Sequence, residues 1–326
     1  MLIPEKLKKG DEIRVISPAR SMAIIDRLTR DIANKRFSEL GLKLSFSKHV
    51  EEVDSFSSSS IESRVDDLHG AFLDDNIKGI LTTIGGYNSN QLLKEINWQL
   101  IKDHPKIFCG FSDITALNNA MLSKAGLITY YGPHYSSFGM KKYFDYTLDY
   151  FKKCLMDNEK FDVYPSSDWS DDTWFLNQDD RTLIKNDGWL AINEGESSGQ
   201  LVGGNLCTLN LLQGTEYMPQ LKGTVLLIED DSESKSYNFD RDLVSLIQQP
   251  GFEEVRAIII GRFQKESHIS KKQLMELIKS KKELSKVPVL AGIDSGHTTP
   301  FATLPIGGSV RVTVSKKSSR LEILTH

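Results

Sequence analysis

Through Tyr131, short apolar runs alternate with segments of helical period, and this pattern narrows the fold more than any other feature of the chain. Glu12–Ser17 is rich in β-branched residues. Met22–Leu40 then places Ile25, Leu28, Ile32, Phe37 and Leu40 at helical spacing, with Gly41 positioned to end the helix. Leu42–Phe46 is a second strand, and Ser60–Leu73 a helix with Ile61, Val65, Leu68 and Phe72 as its stripe. Lys78–Ile84, Lys106–Cys109 and Leu127–Tyr131 are further strands, with a helix from Asp113 to Lys124 before the last. Strand–helix alternation selects a parallel sheet covered on both faces, so the expected class is α/β. From Gly199 the alternation resumes less regularly. Gly203-Gly204-Asn205 leads into a helix, Gly223–Glu229 and Val255–Ile260 are strands, and Asp240–Gln248 and Ser270–Lys282 are helices. Ser309–Val314 and Arg320–Leu324 read as a β-hairpin.

Residues 162–196 break this rhythm. They hold seven aspartates and three of the four tryptophans, Trp169, Trp174 and Trp189, with no sustained period. At about 150 residues per domain, 326 residues suggest two domains. The expected division is 1–160, an inter-domain loop at 161–198, and 199–326. Composition excludes several classes. Cys109, Cys154 and Cys207 are too few and too scattered for a disulfide framework or a CxxC metal site. A net charge of −4 argues against a nucleic-acid partner. No apolar run reaches the ~18 residues of a membrane span. The start, MLIPEKLKKGDEIRVISPA, lacks a charged-then-apolar leader, so a cytoplasmic location is expected. No metal and no cofactor are expected, since neither a His/Cys cluster nor a G-x-G-x-x-G or P-loop pattern is present.

Four stretches carry candidate chemistry. In Ile107–Leu117 an apolar strand runs into Gly110-Phe111-Ser112-Asp113 and then a helix. A serine at such a turn presents its hydroxyl above the strand ends, and the Asp113 N–H points toward an oxyanion formed there. The alternative is a plain helix cap. Gly85-Gly86-Tyr87 ends another strand, where two glycines expose N–H donors or simply make a tight turn. Glu229 closes the run VLLIE, where α/β folds place their sites, while Asp230 and Asp231 read as a solvent-facing acidic turn. His297 sits in the loop GIDSGHTTP, with His134 as its rival. Ser112, Glu229 and His297 together are what a serine hydrolase needs: a hydroxyl, an imidazole to deprotonate it, and a carboxylate to orient the imidazole. Cys109 would be the nucleophile of an amidotransferase-like enzyme, but lies inside a strand where an inert thiol is expected.

The motifs GDEIRVISPA, IGGYNSNQLL, CGFSDITAL, GQLVGGNL, VLLIED and GIDSGHTTPFATLPIG together resemble the L,D-carboxypeptidase family of serine peptidases, from Gly10 to Gly308. Within it, the tryptophan-bearing connection resembles the branch of the microcin C immunity proteins. The resemblance implies an N-terminal parallel α/β sheet, a smaller swivelling C-terminal α/β domain and a homodimer. It places the nucleophile on Ser112, the triad acid on Glu229 and the base on His297, with the oxyanion hole formed by the N–H groups of Gly86 and Asp113. Gly85, Tyr87, Trp169 and Trp174 are the expected substrate contacts. The tryptophans either stack on an adenine or pack between domains or protomers. The implied substrate is a small molecule or short peptide. The immunity branch hydrolyses aminoacyl- or peptidyl-adenylate mimics, whereas the classical enzymes trim a muramoyl tetrapeptide. A non-catalytic binding protein of the same fold is the reading from another class.

Overall fold

The computed structural model describes all 326 residues. Sixteen strands form two sheets and a small ribbon. In the first half lie β1 (Glu12–Ile16), β2 (Lys43–Phe46), β3 (Ile77–Thr82), β4 (Ile107–Gly110) and β5 (Thr129–Tyr131). They are followed by β6 (Phe161–Val163), β7 (Asp168–Trp169), β8 (Ile184–Lys185) and β9 (Leu190–Asn193). The rest are β10 (Gly195–Asn205), β11 (Thr224–Glu229), β12 (Ala257–Gly261), β13 (Val289–Ile293), β14 (Leu304–Ile306), β15 (Ser309–Val314) and β16 (Arg320–Thr325).

The first sheet runs β14-β5-β4-β3-β1-β2 and is parallel except for β14. Its strands are apolar on both faces because both are covered. In β4, Ile107 and Cys109 belong to a 22-residue core with Phe37 and Phe151, whereas Phe108 turns the other way into a 59-residue core. The larger core continues without a break into the second sheet, β6-β16-β15-β10-β11-β12-β13-β9, whose β10 to β13 are parallel. The helix Thr115–Ala125 lies between the sheets and is buried almost all round. Its Asn119 side chain accepts from the Gly203 N–H at 3.0 Å and donates to the Gly203 carbonyl at 2.9 Å, tying it to β10. No helix is long and apolar enough to cross a membrane.

Three local expectations change. The helix expected over Met22–Leu40 is two elements, a 3-10 turn at Met22–Ile24 and an α-helix at Arg27–Glu39. Asp26 interrupts it by capping the second helix, accepting from the Thr29 N–H at 3.0 Å. The non-periodic segment 161–198 is not without regular structure: β6 and β9 close the two edges of the second sheet, and β7 pairs with β8. Strands of two to four residues at sheet edges leave too short a pattern to read. Finally β14, from the last quarter of the chain, completes the first sheet against β5.

Candidate active site

The parallel strands of both sheets end at one cleft of about 690 Å³. From the first sheet, β4 runs through Phe111 into Ser112, whose φ of +60° is left-handed, and then into the buried helix. Such a backbone at a non-glycine residue is held only where its surroundings over-determine it. Here the Ser112 N–H donates to the Tyr131 hydroxyl at 3.1 Å. The buried Asp113 carboxylate accepts from the Asn88 and Ser89 N–H groups at 3.0 and 2.9 Å, binding the Gly85-Gly86 turn to the serine turn. Burial raises the Asp113 pKa, and these hydrogen bonds oppose the rise. The backbone N–H groups of Gly86 and Asp113 have no partner within the protein. Gly85 abuts Ser112; a Cβ there would lie 3.2 Å from Ser112 Oγ.

From the second sheet, Glu229 ends β11 with no exposed surface. Oε1 accepts from the Tyr131 hydroxyl at 2.5 Å, and Oε2 lies 2.8 Å from His297 Nδ1. Gly261 and Gly296 make room for this side chain: a Cβ would come 2.5 Å from Glu229 Cβ in the first case and 2.1 Å from Oε2 in the second. His297 Nε2 is 2.9 Å from Ser112 Oγ. Hydroxyl, imidazole and carboxylate therefore form one hydrogen-bonded line. Burial disfavours the His297 cation, but the charge and hydrogen bond of Glu229, with Asp231 and Asp230 nearby, outweigh it and raise the pKa to about 9. This line can hold a proton taken from the serine.

His134, the rival, lines the same cleft but meets no carboxylate. Its Nδ1 lies 2.6 Å from Thr82 Oγ1, and burial followed by repulsion from His297 lowers its pKa to about 3, so it stays neutral. Cys109 is fully buried, and burial drives its thiol pKa well up. Asp230, read as solvent-facing, is buried against Asn205 Nδ2 at 3.2 Å; burial and the Glu229 charge raise its pKa to about 7. Gly85, Tyr87 and Trp174 line the cleft. Trp169 does not. It faces a neighbouring cavity of about 450 Å³, its ring 5.1 Å from the Arg262 guanidinium. Tyr131 is the residue that sequence reasoning missed. Its hydroxyl joins the serine turn to Glu229, and only its place at a strand end in the run YYGPH offered a signal.

The 162–196 segment straps over the His297 loop. Ser170 and Thr299 exchange backbone hydrogen bonds at 2.7 and 2.8 Å. Asp294 accepts from the Ser166 N–H at 2.9 Å and its hydroxyl at 2.7 Å. Arg181 joins Asp172 at 2.6 Å to Thr299 Oγ1 at 3.1 Å.

The sequence patterns of the LD-carboxypeptidase N-terminal and C-terminal domains match residues 13–132 and 198–312. The chain belongs to the LD-carboxypeptidase family. It is 54% identical to YocD of Bacillus subtilis (strain 168), a protein named as a carboxypeptidase, over 98% of this chain and 99% of that protein. It is 33% identical to the microcin C7 self-immunity protein MccF of Escherichia coli, over 97% and 94%. The crystal structure of an MccF-like protein from Bacillus anthracis str. Ames superposes with a TM-score of 0.99 at 53% identity, covering 100% of both chains. MccF bound to aspartyl sulfamoyl adenosine gives 0.90 at 30%, covering 100% of this chain and 99% of that one. The mixed α/β architecture and the family resemblance expected from the sequence are both upheld.

Proposed function

We propose that this LD-carboxypeptidase family member is a serine peptidase that cleaves the amide of an aminoacyl- or peptidyl-adenylate mimic. The observation that carries the reading is the unbroken line from Ser112 Oγ through His297 to Glu229, with contacts of 2.9 and 2.8 Å. His297 takes the hydroxyl proton as Ser112 Oγ attacks the scissile carbonyl. Glu229 holds the imidazole with Nε2 toward the serine and stabilises its cation. The free N–H groups of Gly86 and Asp113 receive the oxyanion; a donor of this kind is worth about 2.7–4 kcal/mol. His297 then protonates the leaving amine, and water admitted by the same route hydrolyses the acyl-enzyme. Trp174 and Phe175, in the wall of the cleft, supply apolar faces for a base to stack on. The complex of MccF with aspartyl sulfamoyl adenosine supports this choice by similarity.

The murein tetrapeptide is the second reading. It is favoured by the four acidic residues in the cleft wall, Asp171, Asp172, Asp231 and Glu233, which disfavour multiply charged nucleotides. The deciding experiment compares kcat/KM for aspartyl sulfamoyl adenosine and a murein tetrapeptide with the same purified protein. A preference for the nucleoside is expected, and a strong preference for the tetrapeptide replaces the substrate assignment.

A further inference from the structure

Among the residues lining the cleft, Arg20 is the sole lysine or arginine, set against Asp171, Asp172, Asp231 and Glu233. Two of these acids already have cations: Asp172 pairs with Arg181, and Asp171 with Lys265 at 3.7 Å. Arg181 is fully engaged, donating to Asp172, the Lys142 carbonyl and Thr299. Arg20 is the opposite. Its backbone N–H donates to the Gly85 carbonyl at 3.3 Å and its carbonyl accepts from Thr83 Oγ1 at 3.1 Å, but its guanidinium touches no acceptor and no carboxylate.

The stem of Arg20 runs against the residue next to the serine's neighbour. A Cβ at Gly86 would fall 2.9 Å from Arg20 Cγ, and one at Gly85 would fall 3.1 Å from Ser112 Cβ. The two glycines therefore bring the cation and the serine to either side of one tight turn. An uncommitted guanidinium offers five donors in a planar fork that matches a carboxylate or a similar oxyanion. Apart from the His297 imidazolium, which Glu229 already pairs, the other charges of the wall are negative, so Arg20 is the one uncommitted cation that can meet the charge of an anionic substrate.

We propose that Arg20 determines specificity by binding an anionic group that the substrate carries beside the scissile amide. The proposal rests on the hydrolase reading above and adds to it what the substrate must contain. Two sources present this chemistry: the free terminal carboxylate of a peptide, and the sulfamate or phosphate linkage of a nucleotide mimic.

The test measures binding by calorimetry on Ser112→Ala protein, which needs no turnover. The ligands are a murein tetrapeptide, its C-terminal carboxamide and aspartyl sulfamoyl adenosine. If the carboxylate is the group read, the free acid binds about 10–100-fold more tightly than the carboxamide, the range of a charged hydrogen bond. Arg20→Gln then abolishes that difference and leaves carboxamide binding unchanged, which also shows that the variant is folded; Arg20→Lys restores part of it. If the linkage is the group read, Arg20→Gln weakens the nucleoside alone by a similar factor. The proposal is overturned if Arg20→Gln changes no affinity, if it weakens acid and carboxamide equally, or if none of the three ligands binds. Failure of the hydrolase reading looks different: the protein with Ser112 intact would turn over none of the ligands, whatever the effect of Arg20→Gln on their binding.

Discussion

The serine turn and the 162–196 strap border the same cleft and are held in contrasting ways. The turn is a product of secondary structure. It joins a buried strand to a buried helix, and backbone donors, Tyr131 and Asp113 lock it from three sides. The strap has edge strands of two to four residues and leaves Phe175 and Leu176 exposed. It is tied down by a few polar contacts from Ser166, Ser170, Asp172 and Arg181. Groups that must hold a geometry to within a fraction of an ångström sit on the first. Groups that choose between ligands can sit on the second.

The contrast breaks or sharpens under four changes. Ser112→Ala should lower kcat on the order of 10⁶-fold with little loss of stability, because a single half-buried hydroxyl, hydrogen-bonded only to His297, is removed from a unit that acts together. A loss under tenfold in steady-state assays would sink the nucleophile assignment. The pH profile comes next. His297 must be neutral to accept the serine proton, and its pKa is held at about 9, so kcat/KM should rise roughly tenfold per pH unit from neutrality and level off near that value. A flat profile between pH 6 and 8 would show that the carboxylates do not hold the imidazolium.

The same shift has a sign for stability. The folded pKa of His297 lies above its unfolded value of 6.5, so its contribution is complete below pH 6.5 and is lost as pH rises through about 9. Tyr131→Phe keeps the ring but strips a donor from buried Glu229 and the acceptor from the Ser112 N–H. It should cost about 1.5–3 kcal/mol in chemical denaturation and lower kcat by about tenfold or more. Asp172→Ala frees Arg181 on the strap and should act mainly on KM, by less than tenfold, with kcat unchanged. A fall in kcat equal to that of Tyr131→Phe would erase the distinction between the two regions.

The readable parts of the site share a physical cause. Ser112 and Glu229 each follow a run of apolar residues, so burial marks the strand and the first polar residue marks its end. His297 stands out because glycine and threonine neighbours give it nothing to pack against. Tyr131 was not readable, since a tyrosine at the end of a buried strand looks like core until its hydroxyl is seen between Ser112 and Glu229. Trp169 and Trp174 are five residues apart in one acidic stretch with nothing to separate them, yet they face different cavities. Arg20 was equally silent, because an arginine's lack of partners is a property of space.

Local periodicity determined β1 to β5, β11, β12, β15 and β16, most of the helices and the α/β class, since burial on one face or two leaves its mark every second or every third to fourth residue. It also determined which polar residues stand at strand ends. The tertiary structure alone decided that β14 crosses back to the first sheet and that the tryptophan-bearing segment closes both edges of the second. It alone decided that the serine hydroxyl and the carboxylate, 117 positions apart, meet one imidazole. Those contacts arise when two sheets share one core, and pairings across that distance leave no periodic trace in the chain.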